Sequence, residues 1–114
     1  ELKRIKPDDW IERIENTLRH HTGALPSIEA LAESYFMSVP TLKRKLNQLN
    51  TNYIEIKNKT RLERAQASLI QTNHSIERIA EELGFSDASN FTKFFKKQTA
   101  LTPKQYRSSQ SHSD

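Results

Sequence analysis

Two groups of side chains have the types and spacing to grip a polyanion. In the stretch "SDASNFTKFFKKQ", residues 86–98, Ser89, Asn90 and Thr92 are followed by or interleaved with Lys93, Lys96 and Lys97. Hydroxyl and amide groups near the start of a helix can reach base edges, while lysines further along meet phosphates. The other side of the same helix is apolar, because Phe91, Phe94 and Phe95 fall at i, i+3 and i+4. The second group lies in "VPTLKRKLNQL", where Thr41, Lys43, Arg44 and Asn47 are free of the face carrying Leu42 and Leu46. Arg44 has the planar fork that suits a bidentate contact to guanine.

Charge supports both groups. The chain carries a formal +4, unevenly spread. Residues 36–60 hold Lys43, Arg44, Lys45, Lys57 and Lys59 against the single acid Glu55, and residues 91–107 hold five basic side chains and no acid. Two basic blocks separated by neutral or acidic sequence suggest two discrete contacts with a polyanion. Solvated helix faces give the same charge pattern. Lys57, Lys59 and Arg61 could touch phosphate, with solvation, or for Arg61 a structural ion pair, as the alternative.

Other chemistry finds little support. There is no cysteine, which removes disulfides and thiolate metal sites and fits a reducing compartment. His20 and His21 are adjacent and so do not share a helix face, and no Cys/His spacing suggests a structural metal. No G-x-S-x-G, P-loop or H-E-x-x-H motif is present, so the chain is not expected to be an enzyme or to hold a cofactor. The phenylalanines could form a stacking platform for single-stranded nucleic acid, but their shared helical face favours core packing. No apolar run approaches the roughly 20 residues of a membrane span, and no signal peptide is seen. A cytoplasmic protein is expected. Because the sequence starts at Glu1 rather than methionine, an additional N-terminal effector or dimerisation domain is also expected.

At 114 residues, 34% hydrophobic and 28% charged, with mean hydropathy −0.81, the chain can build modest helical cores. It reads as all-α. Asp8 or Asp9 caps a first helix with Ile11, Ile14 and Leu18 on one face. Ser27 caps "IEALAES", and Ser38 caps the next helix, with Pro40 in its first turn. A long helix over residues 52–70 buries Ile56, Leu62, Ala65 and Leu69. Ser75 caps "IERIAEEL", Gly84 stops it, and Ser86 or Asp87 starts the basic helix. "LTPKQYR" reads as a turn and a short terminal helix. The expected division is residues 1–50, a connecting helix at 51–72, a second subdomain at 73–107 and a disordered polar tail at 108–114.

An internal repeat organises these elements. "SIEALAESYFMS" aligns with "SIERIAEELGFS", and with one extra residue in the second copy Leu42 pairs with Phe91 and Leu46 with Phe95. Each copy has the grammar of a helix-turn-helix: a short helix with a small residue at the crossing (Ala32, Ala80), a tight turn, and a helix that packs on one side only. Gly84 supplies the left-handed corner without a Cβ penalty. Trp10 reads as an anchor of the first helix on the first copy.

"SIERIAEELGFSDASNFTKFFKKQTALTPKQYR" resembles the C-terminal signature of the AraC/XylS family of bacterial transcription regulators. "LAESYFMSVPTLKRKL" and "RLERAQASL" resemble that family's first helix-turn-helix and connecting helix. The similarity spans residues 27–107. It implies about seven helices in two homeodomain-like helix-turn-helix subdomains joined by a long linker helix. The recognition helices would enter successive major-groove segments of double-stranded DNA about 34 Å apart, as in a transcription activator that works with RNA polymerase. The implied contact set is Pro40, Thr41, Lys43, Arg44 and Asn47 in the first helix. In the second it is Ser89, Asn90, Thr92, Lys93, Lys96 and Lys97, with the N-caps Ser38, Ser75 and Ser86 near phosphate. An interaction module with only non-specific DNA affinity is the alternative.

There are departures from the family pattern. Phe36 replaces the turn glycine of the first copy, so that turn is expected to be less tight. Asn50 and Ala100 also stand where glycine is usual, and Pro40 replaces a larger contact residue. Some DNA-repair alkyltransferases carry domains of this family, but their chemistry needs a cysteine, which is absent.

Overall fold

The computed structural model describes residues 9–111. Seven helices, and no strand, occur among the described residues: α1 (Asp9–Arg19), α2 (Ile28–Ser34), α3 (Val39–Gln48), α4 (Tyr53–Gln71), α5 (Ile76–Glu82), α6 (Ala88–Thr99) and α7 (Pro103–Ser111). They form two compact units. Among the described residues, the first comprises residues 9–21 and 25–60 and the second residues 22–24 and 61–111, so α4 contributes to both. Each unit has its own apolar core.

In the first unit the apolar stripe of α1, Ile14 and Leu18, packs with Leu31 and Ala32 of α2 and Leu42 and Leu46 of α3, all buried. Tyr53 and Ile56 close this core from α4, and the Tyr53 hydroxyl donates to the Pro26 carbonyl at 2.6 Å. Glu15 is buried beside them, where its carboxylate pairs with Lys59 at 2.9 Å and more loosely with Arg19 at 3.5 Å. A buried carboxylate without such partners would be costly. Trp10 meets Tyr35 edge-on at 5.3 Å, which ties the start of α1 to the end of α2.

The second unit repeats the arrangement with larger side chains. Ile79 and Ala80 of α5 pack with Phe91 and Phe95 of α6 and with Ala65 and Leu69 of α4. Tyr106 of α7 meets Phe95 edge-on at 5.3 Å. Arg107 donates to the carbonyls of Leu69 (3.0 Å) and Thr72 (3.3 Å), satisfying acceptors at the open end of α4. Thr102 and Gln105 form a reciprocal capping box at the start of α7, at 2.9 and 3.1 Å. That box starts a helix that runs to Ser111, so the polar segment expected to be disordered from residue 108 is helical through Ser111. Residues 112–114, like the candidate cap Asp8, lie outside the described residues.

The two turns are more alike in conformation than their sequences suggest. Gly84, at φ +85°, donates to Glu81, and Phe85 donates back to Ala80. Phe36, at φ +59°, donates to Glu33, and Met37 donates back to Ala32, all at 3.0–3.1 Å. The first turn is therefore as tight as the second, contrary to expectation. The same Schellman pairing satisfies the last helix carbonyls, and it holds a phenylalanine in a conformation that costs an L-residue roughly 1–2 kcal/mol.

Asn50 adopts φ +61° after α3, as its tolerance of the left-handed region predicts. Ala100 does the same after α6, at φ +69°. Ala100→Gly is expected to stabilise the chain by about 1 kcal/mol, read as a raised urea midpoint. An unchanged or lowered midpoint would show that Ala100 leaves this conformation in solution.

Candidate nucleic-acid interface

Helix α3 is two-sided because its apolar residues recur at helical spacing. Leu42 and Leu46 are fully buried, while Pro40, Lys43, Arg44 and Asn47 are exposed and Thr41 is half-buried. Its N-cap is Ser38, whose hydroxyl accepts from the Thr41 N–H at 3.2 Å and donates to the Thr41 hydroxyl at 2.9 Å. The Arg44 Nη2 donates to that same Thr41 oxygen at 3.4 Å. Thr41 thus steadies the guanidinium instead of standing apart as an independent group. The signal was the i, i+3 spacing of Thr41 and Arg44. Lys45, also in the basic block, points elsewhere, with its ammonium 5.8 Å from the Trp10 ring.

Helix α6 follows the same rule. Phe91 and Phe95 are fully buried, and Ser89, Asn90, Lys93, Lys96 and Lys97 are exposed, with Thr92 half-buried. Phe94 is half-buried against Phe85, ring centres 5.2 Å apart. The phenylalanines therefore serve the core, and none of the fully buried rings is open for a base to stack on.

The cap of α6 needs correction. Asp87, not Ser86, holds the N-cap, its carboxylate accepting from the Asn90 N–H at 2.8 Å. Ser86 instead accepts from the Asn90 side-chain amide at 2.5 Å. A carboxylate accepts this bond more strongly than a hydroxyl does, which decides between two cap-capable neighbours. It also places a negative charge at the head of α6. Ser75 is the cap of α5, accepting from the Arg78 N–H at 3.0 Å.

Both candidate sets are thus solvent-facing arrays of hydroxyl, amide and cationic groups over buried apolar faces, one set in each compact unit. The α4 cations differ in kind. Lys59 is engaged with Glu15, the Arg61 guanidinium lies 4.8 Å from the centre of the Phe85 ring, and the Lys57 ammonium lies 5.8 Å from that of Tyr53. Burial lowers the pKa of the Arg64 guanidinium from its ordinary value, and nearby Glu82 works against that shift. Among the described residues no group of three or more His, Asp or Glu side chains is placed to hold a metal, and no helix is long and apolar enough to cross a membrane.

Comparison with known proteins agrees with this geometry. A family model described as a helix-turn-helix domain matches residues 31–109. The ornithine utilization regulator of Pseudomonas aeruginosa is 33% identical over 97 residues, 85% of this chain and 29% of its own. Among solved structures, the C-terminal domain of AraT, a response regulator from Geobacillus stearothermophilus, superposes with a TM-score of 0.79 at 28% identity, covering 98% of this chain and 95% of that one. A Chromobacterium violaceum transcriptional regulator, described as containing an AraC-type DNA-binding domain, gives 0.75 at 25% identity, covering 91% and 90%. The chain spans 36% or less of the length of the curated relatives it matches first. With two helix-turn-helix copies, each presenting a polar and basic helix face, the chain belongs to the AraC/XylS family of helix-turn-helix DNA-binding transcription regulators.

Proposed function

We propose that α3 and α6 read double-stranded DNA in successive major-groove segments, so that one chain recognises an asymmetric site. The observation that carries this is the paired exposure of Arg44 and Asn47 over buried Leu42 and Leu46, and of Asn90, Lys93 and Lys96 over buried Phe91 and Phe95. Arg44, steadied by Thr41, reads a base; Lys96 and Lys97 meet phosphates. Pro40, Thr41, Lys43, Ser89, Thr92 and Lys93 complete the two faces. First-turn N–H groups of α3 and α5, beyond Ser38 and Ser75, favour nearby phosphate. Ser86 contributes through its bond with Asn90. The names of the relatives support a role in bacterial transcription, with RNA polymerase as partner, in the cytoplasm. Their greater length supports a regulator in which this unit is joined to an effector or dimerisation domain.

Selection of the chain against randomised duplexes tests the reading. Two short motifs at a spacing near one helical turn, about 34 Å, are expected. One motif would mean that a single helix reads bases, and no enrichment would favour an interaction module with only non-specific DNA affinity.

On the selected site, Arg44→Ala should cost about 1–3 kcal/mol and relax one base position. An equal loss on random DNA would make Arg44 a phosphate contact. Lys96→Ala should weaken all sequences alike and flatten the salt dependence by about one unit. An unchanged slope would remove Lys96 from the interface.

A further inference from the structure

Phe36 is unfavourable twice over. It holds a left-handed backbone conformation where the second copy uses Gly84, and its side chain is 98% exposed. Neither the core nor the DNA-facing side of α3 uses it. The same unit has an apolar groove of about 400 Å³ beside the second half of α3 and the first turns of α4. Ile28, Leu46, Tyr53 and Ile54 give it apolar walls, and Ile54 is 68% exposed. Lys43 and Lys57 also line it, and no carboxylate does.

Phe36 precedes the N-terminus of α3, while the groove begins at Lys43 and extends past its C-terminus. Phe36 is not among the residues that line the groove, so knob and groove are different surfaces of one chain. The knob lies next to acid: Glu33, three residues before Phe36, is exposed. An aromatic beside a carboxylate complements an apolar groove lined by two lysines.

We propose that Phe36 of one copy seats in the α3–α4 groove of a second copy, with Glu33 facing Lys43 and Lys57. Because knob and groove are different surfaces, the contact is heterologous and leaves a free knob and a free groove at the two ends of every assembly. A single aromatic covers about 150–250 Å², well short of the roughly 1,200–2,000 Å² of a stable interface. The association is accordingly weak and belongs to high local concentration. It draws on Lys43, which the proposed DNA face also uses, but the proposal stands or falls without DNA.

Sedimentation equilibrium of the purified chain up to concentrations on the order of 1 mM, suited to so small a contact, provides the test. The weight-average mass should rise steadily with concentration. Phe36→Gly and Ile54→Glu should each remain at the monomer mass. Phe36→Gly should also melt at higher temperature, which separates loss of association from loss of fold. An equimolar mixture of the two variants should associate again and stop at pairs, because only one knob and one groove of each pair are intact. A wild-type chain that stays monomeric would overturn the proposal. So would either variant that associates like wild type, or a mixture that remains monomeric.

Discussion

Replacing Phe95 by alanine is expected to remove about 3–5 kcal/mol from the second unit, the range for a fully buried aromatic truncated to a methyl group. Phe95 is 0% exposed in the core that α6 shares with α4 and α5, and its ring meets Phe91 of the same helix at 5.9 Å and Tyr106 of α7 at 5.3 Å. With Phe91 it holds α6 in its own unit, and with the Arg107 anchor it holds α7 in place. A helical unit of this size has a stability of only several kcal/mol, so the loss brings it close to unfolding. The far-UV circular dichroism transition in urea should move to markedly lower denaturant. Trp10 is the sole tryptophan and sits against Tyr35 in the first unit, so its fluorescence reports that unit. A larger shift by dichroism than by fluorescence would assign the damage to the second unit. DNA affinity should fall with it, because Asn90, Lys93 and Lys96 are presented only while α6 is docked. A dichroism midpoint that does not move would mean that Phe95 is not a core residue.

The residues that made this arrangement legible in the sequence are those whose physics is local. Ser27, Ser38 and Ser75 cap helices because a hydroxyl preceding an apolar periodic run has little else to do, and all three do so here. The pairing of Leu42 with Phe91 and Leu46 with Phe95 follows from helical period alone, and all four are buried. Asn50 was readable because asparagine pays little for a left-handed turn. Three features were not readable, for a different reason in each case. Phe36 holds a glycine's conformation because the Schellman hydrogen bonds outweigh a local penalty, which composition cannot weigh. Ser86 and Asp87 are both competent caps, and the carboxylate takes the place while Ser86 is engaged by the Asn90 side chain, a contact made only in the folded chain. The length of α7 was underestimated because Ser108, Ser109 and Gln110 look like a polar tail, while the capping box and the anchor through Arg107 extend the helix into them. The Thr41–Arg44 contact was within reach of the sequence, since i, i+3 neighbours meet on any helix.

Gly84→Val is expected to have the second largest effect, and comparison with Phe36 says why. Both residues sit at the same corner with positive φ, so the left-handed penalty of roughly 1–2 kcal/mol is common to both sites. At Phe36 the side chain points into open solvent and nothing more is lost. At Gly84 a Cβ would lie 2.8 Å from the Ala24 Cα and 3.0 Å from its Cβ. The nearer atom is backbone, so no side-chain rotation relieves the overlap, and the segment carrying Ala24 has to move. Overpacking of this kind adds about 1–3 kcal/mol, and valine's branching narrows the available rotamers further. The sum is about 2–5 kcal/mol, and for a small unit each kcal/mol lowers the thermal midpoint by about 4–8 °C. A fall of about 8 °C or more is therefore expected. A fall of only a few degrees would mean that the Ala24 segment yields and that the corner alone is strained, as it is at Phe36. No fall at all would show that the turn after α5 does not hold a positive φ in solution, and the tight second helix-turn-helix would go with it.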